Sequence, residues 1–496
     1  TSSIVSAWTD RTRTVMIATP SNPTGASIPY DELSSICELA RDRGAWRIVD
    51  EIYLDLADHG PDDAPAQTVL AVDPDAIVIG SGPAALRAAI ASADAGTIPL
   101  VIDSSGVGSA SGTAPLSGLA ASIDELDSTA HRNDTVTAGG ESTDKVAAAR
   151  FCGEAVSVIA ELERWGLVLR RREGGLPHTS EAPGHSRARL TGCGDSTSRE
   201  VTRILEEQAI KRGIPRRSDL VPLSLVMDNQ QVRGVVVLDL LTGGISSIQS
   251  KAIILATEGH QGIWSAPSNG AGIGAALAVS AGVLLSGMAN SPRHPLTIRG
   301  TDMHLPLDLL GSGGRLRKES GEDVEPETIL NGEGCVLDLR SLEEAASPWF
   351  TQTSRRVRER AGLDITTEVI PLMPSVAATT GGAPVDESGR VTFDDGNMWF
   401  TGLYAAGRSA NTGMHGAGML PGNQLLEDLV GGNSAGEHAG AWAADSSQGS
   451  GRTTSTRCAI VSMRSTTTSF LVLYSGSVNV ALLRAGLNHF WQTHTH

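Results

Sequence analysis

Short apolar runs alternate with amphipathic or alanine-rich stretches along most of this chain, a pattern typical of alternating strands and helices. Near the start, a strand at Val15 to Ala18, a helix from about Asp31 to Arg43 and a strand at Trp46 to Val49 make one predicted βαβ unit. The alternation continues over a longer stretch, from about residue 71 to about residue 445. The sequence therefore predicts an α/β protein whose larger part contains a parallel sheet.

A glycine-rich turn stands at the start of the longer stretch. The apolar run Ala76 to Ile79 leads into Gly80-Ser-Gly-Pro-Ala-Ala85 and then into an alanine-rich helix predicted from Leu86 to Ala95. In a Gly-x-Gly-x-x-Ala turn, the first glycine permits the tight turn, the second lets the backbone approach a pyrophosphate, and the alanine lets helix and strand pack closely. A second predicted strand, Pro99 to Ile102, ends at Asp103, whose carboxylate can accept hydrogen bonds from a ribose. Together these features indicate a dinucleotide site.

Length, charge and cysteine usage narrow the function classes. With 496 residues the chain exceeds what one hydrophobic core supports, so we expect at least two domains. A formal net charge of -17 disfavours nucleic acid and anionic membranes as partners, and no apolar run predicts a membrane span. Five cysteines, scattered singly, predict neither a metal site nor a disulfide framework and indicate a cytoplasmic protein. From Ser446 to His496 the chain is rich in Ser and Thr and lacks Asp and Glu, which predicts a boundary there.

The N-terminal unit carries two short motifs. Thr19-Pro-Ser-Asn22-Pro-Thr-Gly25 and Val49-Asp50-Glu-Ile-Tyr53 resemble segments of class I aminotransferases. The resemblance implies that Asn22 would contact the ring hydroxyl of pyridoxal phosphate and Asp50 its pyridinium nitrogen. The family's Schiff-base lysine has no counterpart, since the first lysine of the chain is Lys145. We therefore expect an inherited βαβ fragment without pyridoxal phosphate.

Several ordered motifs further along resemble one flavoprotein family. They are Gly108-Ser109-Ala-Ser-Gly-Thr-Ala114, Gly118 to Ala121, Gly184-His185-Ser186, a predicted strand at Lys251 to Thr257, His294-Pro295, Pro374 to Gly382, Gly402 to Gly407 and His415 to Glu427. With the glycine-rich turn, they make residues 71 to 445 similar to the FAD-dependent fumarate reductase, succinate dehydrogenase and L-aspartate oxidase flavoproteins. The resemblance implies FAD held without a covalent bond, because Ser111 stands where the respiratory enzymes attach flavin to a histidine.

The same resemblance implies a division into domains. Residues 71–265 and 366–445 would form a Rossmann-like FAD-binding domain, and 266–365 an inserted α+β capping domain that contacts substrate. Residues 1–70 would be a short N-terminal βαβ appendage, and 446–496 a tail.

Individual site residues follow from the motifs that match. The expected cofactor-binding residues are Gly80, Ser81, Gly82, Ala85, Asp103, Ser109, Gly118, Ala256, Thr257, Gly407, Asn423 and Leu425. The expected catalytic residues are His294, Thr379 and His415, and no metal ligand is expected.

Other positions depart from the family pattern. Leu310 stands where the family has its proton-transferring arginine, and Ala377 and Met419 stand where a histidine and a second arginine bind the substrate dianion. Arg408 occupies the position of the glutamate that holds the ribityl chain. The glutamate that selects an amine substrate falls on Ala182, one position from Glu181. Arginines that could compensate, with a solvated surface role as the alternative for each, are Arg293, Arg299, Arg315 and Arg317.

The sequence thus predicts an FAD-dependent oxidoreductase that acts on CH–CH or CH–NH groups of a small, carboxylate-bearing substrate. A catalytically silent FAD-binding or chimaeric protein is the alternative, and an aminotransferase remnant is the third. An electron-acceptor partner and a homo-oligomer both stay open.

Overall fold

The computed structural model describes residues 2–9, 11–19, 21, 28–43, 45–50, 74–103, 118–122, 125–264, 270–326, 334–342, 344, 346–393, 396–445, 459–465 and 468–474. Its α-helices are α1 (Ser2–Ala7), α2 (Tyr30–Asp42), α3 (Pro83–Asp94), α4 (Glu125–Gly139), α5 (Lys145–Gly153), α6 (Ala155–Arg164), α7 (Thr197–Lys211), α8 (Ile273–Ser280), α9 (Thr351–Ala361) and α10 (Asn423–Asp445). The strands are β1 (Thr14–Ala18), β2 (Trp46–Asp50), β3 (Ala76–Ile79), β4 (Pro99–Ile102), β5 (Leu119–Ala120), β6 (Leu190–Thr191), β7 (Arg216–Arg217), β8 (Leu220–Asp228), β9 (Gln231–Asp239), β10 (Ile245–Gln249), β11 (Ala252–Leu255), β12 (Arg293–His294), β13 (Arg315–Lys318), β14 (Cys335–Asp338), β15 (Ile370–Leu372), β16 (Ser375–Val376), β17 (Ala383–Pro384), β18 (Arg390–Phe393), β19 (Met398–Ala405), β20 (Ala410–Asn411), β21 (Ala459–Ser465) and β22 (Thr468–Tyr474).

A nine-stranded sheet organises the larger part of the chain. Its strand order is β10-β9-β19-β11-β3-β4-β7, with β8 paired to β9 and β18 paired to β19. The strands from β19 to β7 run parallel, so their carboxyl ends share one edge of the sheet. This arrangement confirms the predicted α/β class.

The central strands are apolar throughout because both faces of the sheet are covered. All four residues of β3, of β4 and of β11 are buried, as expected for parallel strands with helices or other elements on each side. On one face, small side chains of the strands pack against α3 and α10. On the other face, a larger cluster joins the strands to α8.

Helix α3 begins three residues earlier than the periodicity predicts. Pro83 occupies its first turn, where the missing N–H costs nothing and the fixed φ suits a helix. Gly82 precedes it in an extended conformation. The helix therefore starts directly at the glycine-rich turn.

Residues 293–376 build a second core away from the large sheet. Strands β13, β14 and β15 form an antiparallel sheet, and β12 pairs with β16. Their apolar side chains cluster with those of α9, including the fully buried Phe350. This core contains most of the predicted capping residues.

Two smaller pieces pair only with themselves among the described strands. β1 and β2 form a parallel pair joined by α2, which is the predicted N-terminal βαβ unit. Residues 447–496 are a separate compact unit whose described part is the antiparallel hairpin of β21 and β22. No described helix combines the length and the apolar character that crossing a membrane requires.

Candidate functional site

The glycine-rich turn lies at the carboxyl edge of the parallel sheet. The N–H of Gly80 donates to the carbonyl of Ile102 (2.9 Å), and its φ is +134°. A Cβ at residue 80 would lie 2.1 Å from the carbonyl oxygen of Ala256, so only glycine fits there. At Gly82 no atom of the described residues stands within 4 Å of the position that a Cβ would occupy. The second glycine therefore leaves open space in front of the first turn of α3, where backbone N–H groups bind phosphate.

The neighbouring predicted residues pack around this turn. Ser81 is buried, and Ala85 is fully buried against the sheet. Ala256 follows β11 and its N–H donates to Ile79 (2.9 Å). The Thr257 hydroxyl lies 3.0 Å from that of Ser409, which follows β19. The ends of β3, β11 and β19 are thus tied into one wall.

Asp103 follows β4, as the sequence predicts. Its side chain is buried, and its carboxylate lies 3.5 Å from the guanidinium of Arg216. Arg216 also pairs with Glu206, so the acid lies in a charged group that the motif did not indicate. Ser109 lies outside the described residues.

Gly118 connects the sheet to the predicted capping residues. Its N–H donates to the carboxylate of Asp308 (2.9 Å), which lies in a short 3-10 helix of the second core. Burial raises the pKa of Asp308 to about 6. This bond is one of several described hydrogen bonds that join the two predicted domains; another runs from the N–H of Thr353 to Asp195 (2.6 Å).

The first turn of α10 is fixed to α4. Asn423 accepts a hydrogen bond from Nε2 of His131 (2.6 Å) and donates to Thr135 (2.8 Å). Burial lowers the pKa of His131 to about 4, which keeps its ring neutral. Leu425 is fully buried in the helical core. The side chain of Asn423 is therefore committed to protein contacts, so the structure shows a structural role for it.

The three predicted catalytic residues occupy different environments. Thr379 accepts a hydrogen bond from the N–H of His260 (3.0 Å), at the same edge of the sheet as Thr257. His294 belongs to the second core, where its Nε2 donates to the carbonyl of Leu305 (2.8 Å). Burial, together with the nearby His304, lowers the pKa of His294 to about 3. The structure therefore places a neutral imidazole at residue 294.

His415 lies in a buried group of polar side chains around α10. Its Nε2 is 3.4 Å from the carboxylate of Glu427, and neither ring nitrogen forms a hydrogen bond with another described residue. Thr412 donates to the same carboxylate. Asp428, the next residue, is 4% exposed, and burial raises its pKa to about 7 although Arg408 opposes the rise. The sequence indicated His415 and the motif that ends at Glu427, but not that Asp428 and Arg408 lie close to them.

An open cleft of about 570 Å³ lies between the segment 181–188 and the segment 310–326. It brings together Leu310 and Ala182, two of the positions where the sequence lacks a family site residue. None of the three predicted catalytic residues belongs to its described lining. Its charged lining residues are Glu181, Arg187, Arg315, Asp323 and Glu325.

A buried ion cluster fixes one wall of the cleft. Arg189 is fully buried and pairs with Asp127 and Asp134 of α4, at 2.9 Å in both cases. Its Nη1 also donates to Nδ1 of His185 (2.8 Å), whose Nε2 donates to the carbonyl of Pro421 (2.9 Å). Burial lowers the pKa of His185 to about 4. These contacts indicate a structural role for His185.

Of the N-terminal motif residues, Asn22 lies outside the described residues and Asp50 ends β2. Among the described side chains, no group of three or more His, Cys, Asp or Glu residues is placed to hold a metal ion.

Comparison with known proteins identifies two families. Residues 75–425 match the FAD binding domain family, and residues 3–96 match aminotransferases of class I and II. The two matches share residues 75–96, which contain β3 and α3. The structure places this strand in the nine-stranded sheet rather than with β1 and β2.

Individual relatives agree with the longer match. The chain is 32% identical to an L-aspartate oxidase of Mycobacterium tuberculosis over 403 residues, which is 75% of this chain and 74% of that protein. It is 28% identical to the 8-methylmenaquinol:fumarate reductase flavoprotein subunit of Wolinella succinogenes, over 76% of this chain and 67% of that protein. The structure of a single-residue variant of the Escherichia coli quinol fumarate reductase FrdA superposes with a TM-score of 0.68 and 25% identity, covering 75% of this chain and 70% of that one. The open glycine turn, the buried acid after β4 and the long match together show that this chain belongs to the FAD binding domain family, as the motifs predicted.

Proposed function

We propose that this protein is an FAD-dependent oxidoreductase acting on a CH–CH or CH–NH group of a small substrate. The observation that carries the proposal is the glycine turn, which leaves space before α3 at the same sheet edge as the ends of β11 and β19. That edge is where a parallel α/β sheet binds its ligand. Bound FAD supplies hydride transfer at its N5 atom.

Several residues fit the cofactor. The first turn of α3, with Gly80 and Gly82, would hold the diphosphate, and Asp103 would accept the ribose hydroxyls. Thr257 and Gly407 would line the next part of the site, because each lies two residues after the end of the adjacent strands β11 and β19. Gly118, held by Asp308, would bring the cap onto the cofactor.

We propose the cleft between residues 181–188 and 310–326 as the substrate site. Leu310 cannot carry a proton, so a carboxylate such as Glu181 is the better candidate for acid–base chemistry there. Its backbone packs on Gly311, where an added Cβ would lie 2.3 Å from the Glu181 carbonyl oxygen. Glu181 is thereby fixed beside Leu310.

The charges of the cleft favour a substrate with at most one carboxylate. Three of its five charged side chains are acidic, and Arg315 lies 3.8 Å from Asp323. A dianion needs two cationic partners, and each one missing costs on the order of 2 to 5 kcal/mol of binding. Arg187 is the arginine best placed for a single carboxylate.

The test is anaerobic reduction of the purified, FAD-loaded protein. We expect a flavin absorbance spectrum that selected monocarboxylates or amines bleach, while succinate does not. Replacing Arg187 (R187Q) should raise the KM for a monocarboxylate by about tenfold and leave the KM for a neutral amine unchanged. Colourless protein that takes up no FAD would overturn the proposal. Flavin that dithionite bleaches but no substrate does would favour the silent FAD-binding alternative.

The proposed function also involves an electron acceptor and a cellular location. Repeated turnover requires an electron acceptor, and a protein partner is consistent with relatives that are flavoprotein subunits. The four described cysteines form no disulfide with one another, which fits a reducing compartment, so we propose a cytoplasmic location.

A further inference from the structure

Arg408 lies beside the glycine turn at the ligand-binding edge of the sheet. It belongs to the 3-10 turn Gly407–Ser409, directly after β19. A Cβ at Gly407 would lie 2.8 Å from the Cβ of Ala84, the second residue of α3. Arg408 is therefore adjacent to the helix end that fits a diphosphate.

The guanidinium is buried and held by α10. Arg408 is 7% exposed. The amide of Gln424, in the first turn of α10, is satisfied when its oxygen faces Arg408, where it accepts from Nε and from Nη2 (3.0 Å). One turn further along α10 lies the buried carboxyl of Asp428, and the charge of Arg408 opposes the rise that burial causes in its pKa. A buried charge persists only with such partners.

Gln424 accepts hydrogen bonds from only some of the N–H donors of Arg408. A guanidinium carries five N–H donors in a rigid fork, and Gln424 receives bonds from two of its three nitrogens. No hydrogen bond joins Nη1 to another described residue. An acceptor at the neighbouring cofactor site would complete the fork.

We propose that Arg408 donates hydrogen bonds to oxygen atoms of the ribityl diphosphate arm of FAD, with Gln424 and Asp428 positioning its guanidinium. This inference rests on the proposed FAD function. Fixed donors in a buried site bind phosphate and hydroxyl oxygens well, because little rearrangement is needed on binding. The cation would thus contribute to cofactor affinity rather than to the substrate cleft.

The test measures FAD binding to apoprotein by fluorescence quenching, so it does not depend on turnover. Removing the charge (R408Q) should raise the Kd of FAD by about 10- to 100-fold, and R408K by less. The matched control is R212Q. Arg212 pairs with Asp94 at the opposite end of α3 and should keep the Kd within about twofold. An R408Q protein that binds FAD as tightly as the wild type would overturn the proposal.

A second variant and two smaller ligands complete the test. Should R408Q not fold, Q424A tests the same arrangement more mildly, and an unchanged Kd in this variant would equally overturn the proposal. ADP and riboflavin separate the two kinds of oxygen: R408Q weakens ADP binding if the contact is to phosphate, and riboflavin binding if it is to the ribityl chain. Wild-type protein that binds no FAD would refute the cofactor site itself, whereas loss confined to R408Q supports the arginine contact.

Discussion

At the scale of single residues, the two glycines of the turn differ in what a side chain at each position would contact. Gly80 is excluded from substitution by the protein itself, because the carbonyl of Ala256 occupies the space of a side chain. Gly82 has open space and a φ of −77°, which any residue adopts. A side chain at Gly82 would therefore enter the space that we assign to the FAD diphosphate.

We therefore expect Gly82→Ala to separate binding from folding. The variant should keep the melting temperature of the FAD-free protein within about 2 °C and raise the Kd of FAD at least about tenfold. Gly80→Ala, with a strained backbone and a clash, should lower the melting temperature itself. Thermal melts and FAD titrations of both proteins check this, and a G82A protein with wild-type affinity would contradict it.

Asp428 gives a pH-dependent prediction. Burial raises its pKa from 3.8 to about 7, so the folded state favours the protonated form. Its contribution to stability is complete below about pH 4 and is lost as the pH rises to about 7. Asp428→Asn stays neutral, so the melting temperature of the variant relative to wild type should increase by on the order of 5 °C between pH 5 and pH 8.

The control for this series is Asp228→Asn, which removes an exposed carboxylate of the surface pair with Arg233. Its melting temperature should run parallel to that of the wild type over the same pH range. Equal slopes for D428N and wild type would show that Asp428 titrates normally in the folded protein.

Sequence motifs located the residues that act through the backbone. The turn at Gly80 and the acid after β4 could be predicted because their function depends on local conformation and on the end of one strand. The family pattern placed Arg408 at the ribityl position, but its relation to Gln424 and Asp428 could not be predicted, because that relation depends on how α10 packs beside the end of β19. His294 was predicted from its motif, yet the burial that keeps it neutral comes from the second core.

At the scale of elements, α3 and α10 pack in close contact, and both helices begin at the proposed cofactor site. Gly432, Gly436 and Gly440 repeat every four residues along one face of α10 and lie over the backbone of α3. A Cβ at Gly436 would be 2.1 Å from the carbonyl oxygen of Ala88. The two helices can approach this closely only because these positions lack side chains.

Gly436→Ala should therefore push the helices apart and destabilise the protein by about 1 to 3 kcal/mol. Gly431 provides a matched control in the same helix, because an added Cβ would make an ordinary 3.8 Å contact with Phe151. Gly431→Ala should be neutral or stabilise by up to about 1 kcal/mol through helix propensity. Melting temperatures compare the two, and equal values would refute the close-packing argument.

Element positions were predicted well where apolar runs are fully buried. The strand at Pro99 to Ile102 is observed with the predicted bounds, whereas the strand predicted at Lys251 to Thr257 is shorter, at Ala252 to Leu255. The residues on either side of this strand do not pair with its neighbours, because Thr257 bonds to Ser409 and Lys251 pairs with Asp75. Such ends are set by tertiary partners that periodicity does not reveal.

At the scale of the whole molecule, the strand order depends on contacts between distant segments. β19 lies beside β11, and β11 beside β3, although about 150 and 170 residues separate these neighbours in the chain. Only the family resemblance could predict this order, since apolar runs alone do not specify which strands pair. The division of the chain into domains stays a prediction of the sequence.

That division predicts how a shortened chain behaves. All nine strands of the large sheet lie between residues 76 and 405, while β1 pairs with β2 and β21 with β22. A protein comprising residues 71–446 therefore keeps every described strand of the large sheet and every residue that we assign to FAD. Its Kd for FAD should stay within about twofold of the value for the full chain. A chain starting at residue 98, which lacks β3 and α3, should bind no FAD. Loss of binding by the 71–446 protein would place part of the flavin site in one of the removed segments.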